Sequence, residues 1–219
     1  MDIFVFLLKV VTLSLSGVLA PGPVTTQSII MGAKNRFAGS LIAVGHGIVE
    51  FPLIILITFG AAAIFHRRSA QIVIGLAGGA MLLFMAYGIY KNTKAPDEAA
   101  NKIIAGKPVL AGILLSAGNP YFLVWWATVG LALALQAKGF GIWAFAAFAI
   151  IHWLCDLIWY QALSWASFKG ATLLSAGKWK TILSGCSAAM LLFGLKFIFD
   201  SACLLFVSIY YAKFLSGTH

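Results

Sequence analysis

The sequence predicts an all-α polytopic membrane protein of six transmembrane helices, arranged as a 3+3 inverted repeat with helices one and four broken. Three observations predict it. The 219-residue chain is 62% hydrophobic and only 10% charged, with mean hydropathy +0.98, whereas soluble domains carry about 25% charged residues. Its apolar segments run for about 20 residues or more, as bilayer-spanning helices must, and do not alternate over about 10 as barrel strands do. Two of these segments are interrupted by proline and glycine at corresponding places, the pattern of discontinuous helices in secondary transporters.

The spans follow in order. The first, Ile3–Met31, contains Ala20-Pro21-Gly22-Pro23. Proline removes a helical hydrogen bond and clashes with the preceding turn, and in hydrocarbon the freed carbonyl must find a partner, so this break belongs beside a cavity. A signal peptide is a poor reading of its start, because Met1-Asp2 is acidic and Lys9 interrupts the apolar run. The second, Phe37–Phe65, is kinked by Pro52. The third, Ala70–Tyr90, carries Gly75 and Gly79 as a small-xxx-small packing face. The fourth, Val109–Leu135, holds the second break at Gly118-Asn119-Pro120. Gly141–Ser167 is the fifth. Thr181–Phe199 is the sixth, with Gly185 and Ala189 as its packing face. After Asp200 a short apolar tail, Cys203–Tyr211, is expected at the interface or against a neighbour. The chain thus divides into a first three-helix repeat (1–95), a cytoplasmic linker (96–107), a second repeat (108–200) and a C-terminal tail (201–219).

Charge orients these spans. Nine Lys and Arg residues fall in the loops joining spans one to two, three to four and five to six, against four on the other side. The positive-inside rule then places both termini outside. The net charge of +9 suits cytoplasmic loops and lipid headgroups, not nucleic acid. Cys155, Cys186 and Cys203 lie in apolar segments without CxxC spacing, as buried inert thiols do. No GxxxxGK[ST] loop, HExxH or serine-nucleophile motif occurs. An enzyme, an ATP-driven pump and a bound cofactor are therefore not expected.

Two carboxylates lie deep in the spans, Glu50 and Asp156, and intramembrane acids mark functional sites by default. Each follows a histidine by four residues, so His46 with Glu50, and His152 with Asp156, share a helix face one turn apart. Both histidines and both acids are offset by 106 residues. The same pattern fits a satisfied buried pair without function. As functional groups they fit a proton relay, or a four-ligand site for Zn²⁺, Mn²⁺ or a similar ion. Asn119 offers an amide suited to a zwitterion or cation, and Thr25, Thr26, Gln27 and Ser28 open a half-helix whose positive end could receive a carboxylate. Gln27 and Ser28 read better as interhelical hydrogen-bonding residues. Trp125, Trp126, Trp143, Trp153, Trp159 and Trp165 read as belt or packing residues, and Lys9 and Lys196 as snorkelling ones.

Ala20-Pro21-Gly22-Pro23 followed by Gly32, Arg36, Gly39 and Gly45 resembles the opening signature of the lysine exporter (LysE/RhtB) family of amino-acid exporters. Val49-Glu50 stands at that signature's Gly-Asp place. Asn119-Pro120 matches the family's Asn-Pro-Lys motif with Tyr121 in place of the lysine, and His152, Asp156 and Trp159 are similar to its fifth span. The resemblance implies a gradient-driven, six-span exporter in the plasma (inner) membrane of a prokaryote. Its cargo would be an amino acid or derivative, and its partners protons or another coupling ion and the lipid bilayer, with homo-oligomerisation open. Pro21, Gly22, Pro23, Asn119 and Pro120 would form the broken-helix site, with Glu50 and Asp156 coupling and His46 and His152 as proton partners. The wider superfamily's metal exporters keep a second reading open, in which His46, Glu50, His152 and Asp156 ligate a divalent cation. A non-transporting membrane scaffold is the third, and the two backbone breaks argue against it.

Overall fold

A computed structural model describes residues 2–20, 22–61, 67–92, 106–173 and 176–216. Pro21, the end of the second predicted span and nearly all of the 96–107 linker lie outside them. Every regular element among the described residues is helical: α1 (Ile3–Val18), α2 (Pro23–Gly32), α3 (Ala38–Leu56) with a π-helical turn at Ile57–Ala61, α4 (Arg68–Asn92), α5 (Pro108–Ala117), α6 (Pro120–Trp125) with a π-helical turn at Trp126–Gly130, α7 (Leu131–Gly139), α8 (Ile142–Leu173) and α9 (Ala176–Ser216). Five helical stretches, the α6–α7 run counted as one, are long and apolar enough to cross a membrane, or six if the α1–α2 pair, bent by 77°, is counted as one span. The protein is a polytopic α-helical membrane protein.

Both predicted breaks are real. The first span stops at Val18 and restarts at Pro23, where proline suits the first helical position because its missing N–H has no intrahelical acceptor there. In the second, α5 ends at Ala117 and α6 restarts at Pro120, capped by the Asn119 side chain, which accepts from the Tyr121 N–H at 3.1 Å. Pro52 sits inside α3 without ending it. The π-helical turn that follows it is kinked at Gly60, whose φ of 133° is open to glycine alone at no steric cost.

Helix α8 packs against α1, α2 and α3, while α3 also packs on α5, and α4 pairs with α9. The signature glycines are crossing points. A Cβ at Gly39 would overlap the Tyr160 carbonyl, one at Gly45 the Val109 carbonyl, and one at Gly32 the Ser164 backbone. Without side chains these helices approach backbone to backbone, as close membrane packing requires. Gly75 and Gly79 meet Ser201, Ile198 and Gly194 of α9 as the small-xxx-small reading expected. Gly185 does not share that role: nothing lies within 4 Å of its missing Cβ, and Gly194 is the α9 glycine that touches α4. The last helix also runs on past Asp200 to Ser216, 41 residues in all, so the segment after Asp200 continues α9.

Candidate functional site

Helices α3 and α8 cross near their middles and turn His46, Glu50, His152 and Asp156 toward one another. All four are buried, none more than 4% exposed. Glu50 Oε1 sits at the centre, 3.2 Å from His46 Nε2 and 3.1 Å from His152 Nε2. Asp156 Oδ1 is 3.8 Å from His46 Nε2, and Asp156 Oδ2 is 3.6 Å from His152 Nε2. The two histidine–acid pairs, 106 residues apart in the chain, form one cluster.

What aims the imidazoles was not visible in the sequence. His46 Nδ1 lies 2.6 Å from Ser116 Oγ on α5, and His152 Nδ1 lies 2.7 Å from Ser14 Oγ on α1. Each serine belongs to the first half of a broken span, so the breaks and the cluster are tied together. Ser116 donates its hydroxyl to the Gly112 carbonyl at 2.6 Å. It must therefore accept from His46 Nδ1–H, and the unprotonated Nε2 of a neutral ring would face the Glu50 carboxylate. Two lone pairs at 3.2 Å repel, so this edge needs a proton or a metal cation between them.

Aromatic side chains close the cluster. Trp126 Nε1 donates to Glu50 Oε1 at 3.2 Å, giving that oxygen a third partner. Trp125 stacks on His152 with centroids 5.0 Å apart, and Phe122 meets His46 edge-on at 4.9 Å. Tyr160 also meets His46 edge-on, with centroids 5.9 Å apart. Trp125 and Trp126, expected as belt or packing residues, thus stand against the cluster itself. Glu50 Oε2 and Asp156 Oδ2 are buried with no hydrogen-bond donor, the kind of orphaned acceptor that calls for a proton, water or ion.

A cavity of about 50 Å³ joins this cluster to the breaks, lined by Gly22, Pro23, Asn119 and all four histidine and acid side chains. Gly22 faces Asn119 Nδ2 across it, 3.9 Å from where its Cβ would be. With its oxygen spent on capping α6, Asn119 offers the cavity an amide N–H donor. That end suits a carboxylate, not the cation the sequence also allowed. Pro120 does not line the cavity; its ring packs on Gly78 of α4. Around α2 two hydroxyls are used locally, Thr25 donating to the Ala20 carbonyl at 3.3 Å and Ser28 to the Val24 carbonyl at 2.9 Å, while Thr26 donates across to Met190 Sδ on α9 at 3.6 Å. Gln27 Nε2 is buried without a partner. Among the described residues Gln27 and Ser28 make none of the interhelical side-chain hydrogen bonds expected of them.

His46, Glu50 and Asp156 can each offer one ligand atom within 4.8 Å of the others, a three-ligand fit for a divalent ion, while His152 Nε2 reaches Glu50 Oε1 at 3.1 Å without joining that group. The serine hydroxyls behind both imidazoles are the outer partners that metal-ligating histidines ordinarily have.

The family model for LysE type translocators matches residues 15–201. The chain belongs to that family. Its members are transporters and not enzymes, so this translocator is a multi-pass membrane exporter of amino acids or related compounds. No curated protein and no solved structure gave a significant match. The signature glycines of the translocator hold the α2–α8, α3–α8 and α3–α5 crossings on which the buried cluster is mounted.

Proposed function

We propose that the protein is a secondary-active exporter of an amino acid or amino-acid derivative, driven by protons that exchange at the His46–Glu50–His152–Asp156 cluster. One observation carries the reading: the backbone breaks and the four ionisable side chains line a single buried cavity. The α2 N-terminus and the Asn119 amide present donors to a substrate carboxylate, and Glu50 or Asp156 faces its ammonium. Binding that ammonium displaces a cation from the cluster, which couples solute to proton by competition for the same carboxylates. At about 50 Å³ the cavity has room for a few waters, so loading an amino acid requires the helices to part at the breaks, as alternating access does. The membrane is the inner membrane of a prokaryote, with both termini outside by the Lys and Arg distribution.

The test is flux in proteoliposomes under an imposed pH gradient, with wild type beside Glu50→Gln. Amino-acid efflux that follows the gradient in the wild type and ignores it in the variant supports the reading. Equal pH dependence in both defeats the coupling role.

A second reading, export of a divalent cation, is favoured by the three ligand atoms within 4.8 Å. Flux of Mn²⁺ or Zn²⁺ without any amino-acid flux in the same vesicles would select it.

A further inference from the structure

A second, larger cavity of about 400 Å³ lies between α4, α6 and α9. Its charged groups are Lys196 and Asp200, one turn apart on α9 and joined at 2.5 Å. Sequence reading makes Lys196 a snorkelling side chain, but its place is deep. Ser201 of α9 meets Gly75 of α4, and Gly194 meets Gly79. Lys196 therefore lies opposite a stretch roughly 10 to 16 Å along α4 from Arg68, about half the thickness of a bilayer core. Yet the two side chains line the cavity and are 65% and 48% exposed. An ion pair held at that depth without burial is costly unless something polar meets it.

The two cavities share Tyr121 and Phe193 as wall. Those rings stand 6.2 Å apart, and the Tyr121 hydroxyl is tied to the Ser16 carbonyl at 3.3 Å. Beyond them the walls are mostly apolar, with Leu123, Val124 and Phe197 facing the ion pair.

We propose that this cavity is a second solute site, a vestibule for a zwitterionic amino acid with an apolar side chain, and that Tyr121 and Phe193 are the partition between it and the broken-helix cavity. The proposal rests on the amino-acid exporter reading. Lys196 takes the α-carboxylate and Asp200 the α-ammonium, so the pair exchanges each internal partner for a ligand charge of the same sign. The apolar wall takes the side chain. The cavity is eight times the volume of the inner one, so an amino acid enters it without the rearrangement the inner site demands. Only passage between the rings requires movement.

The experiment uses the full chain in proteoliposomes and in detergent, with L-leucine, L-phenylalanine and L-methionine as probes and L-leucinamide and 4-methylpentanoate as single-charge controls. Wild type should bind at least one zwitterion, and neither control should compete well. Lys196→Met and Asp200→Asn should each weaken binding about tenfold or more, while Lys196→Arg should keep it and so exclude misfolding as the cause. Tyr121→Ala, which removes one side of the partition, should change flux by severalfold. Wild-type flux of amino acids that is unchanged in Lys196→Met and Asp200→Asn overturns the vestibule and spares the exporter reading. Absence of any amino-acid flux in wild type overturns both. Phospholipid that copurifies with wild type and is lost in Lys196→Met, with zwitterion binding unaffected, gives the cavity to lipid and overturns the proposal. Self-association lost in the same variants does so too, by making the cavity an interface between copies.

Discussion

Ser116 fixes the orientation and the tautomer of His46. Its hydroxyl donates to the Gly112 carbonyl and accepts from His46 Nδ1, both at 2.6 Å, which leaves Nε2 aimed at Glu50 Oε1. Ser116→Ala is expected to strand a buried N–H, at a cost of about 1–3 kcal/mol. The drop should be seen in thermal unfolding of the purified protein. In a double-mutant cycle with His46→Gln the two losses should fall short of additivity by at least about 0.5 kcal/mol. Simple additivity would mean that the serine does not act through the imidazole.

Glu50→Gln keeps the side chain's size but removes the charge shared by both histidines. Breaking a buried ion pair costs about 3–5 kcal/mol, so lost transport alone would not separate misfolding from uncoupling. Counterflow separates them, because exchange of solute for solute needs no gradient. The variant should retain counterflow while losing accumulation driven by a pH gradient. Loss of both would point to a structural role.

Trp126 bears on the same oxygen from outside the charged cluster, through its indole N–H at 3.2 Å. Trp126→Phe keeps an aromatic ring among Trp125 and Phe148 and removes the donor together with one ring's volume, so part of any loss of stability is packing. A hydrogen bond to a charged group contributes about 1.5–3 kcal/mol. The variant should therefore purify normally, unfold at a lower temperature than wild type, and show an altered pH profile of export. An unchanged profile would reduce the indole to packing.

Proline and glycine announce the breaks because they alter the chain's own hydrogen bonding, so both were legible at Pro23 and Pro120. The cluster was legible because each half is local, histidine and acid four residues apart on one helix face. Its supports were not. Ser116 lies 70 residues from His46, and Ser14 lies 138 from His152, and no local pattern marks a serine as either's partner. Trp126 in an apolar run has the same sequence signature as a belt tryptophan. Gly185 failed as a packing site because small-xxx-small spacing does not say which face a helix turns to its neighbour. Asp200 looked like a helix end because a charge usually is one in such a sequence, yet α9 runs through it with Asp200 paired to Lys196 one turn back.

Gly39 and Gly185 make a matched test of that distinction. A methyl at Gly39 overlaps the Tyr160 carbonyl on α8, and the Tyr160 ring meets His46 edge-on. Gly39→Ala should destabilise by about 1–3 kcal/mol and impair transport by shifting α8 against the cluster. Gly185→Ala meets nothing within 4 Å and should be neutral or stabilising by up to about 1 kcal/mol. Measuring both unfolding temperatures in one detergent shows whether the signature glycines are spacers for the site.

The cluster should also bind a divalent transition metal whether or not the metal is cargo. Zinc bonds of about 2.0–2.2 Å to nitrogen and oxygen in tetrahedral array place neighbouring ligand atoms roughly 3.3–3.6 Å apart. His46 Nε2 lies 3.2 Å from Glu50 Oε1 and 3.8 Å from Asp156 Oδ1, and these three ligand atoms lie within 4.8 Å of one another, close enough for side-chain adjustment to meet. Zn²⁺ at about 100 times its dissociation constant should stabilise the folded protein by about 2.7 kcal/mol. Chelation should reverse the effect, and His46→Ala should abolish it. If the cluster serves proton coupling, the same Zn²⁺ should inhibit amino-acid efflux in wild type, because the metal occupies the edge where the proton must exchange. If the metal is cargo, it should cross the membrane under the same gradient. Zn²⁺ that neither stabilises, inhibits nor crosses would leave the His46–Glu50 edge bridged by a proton alone.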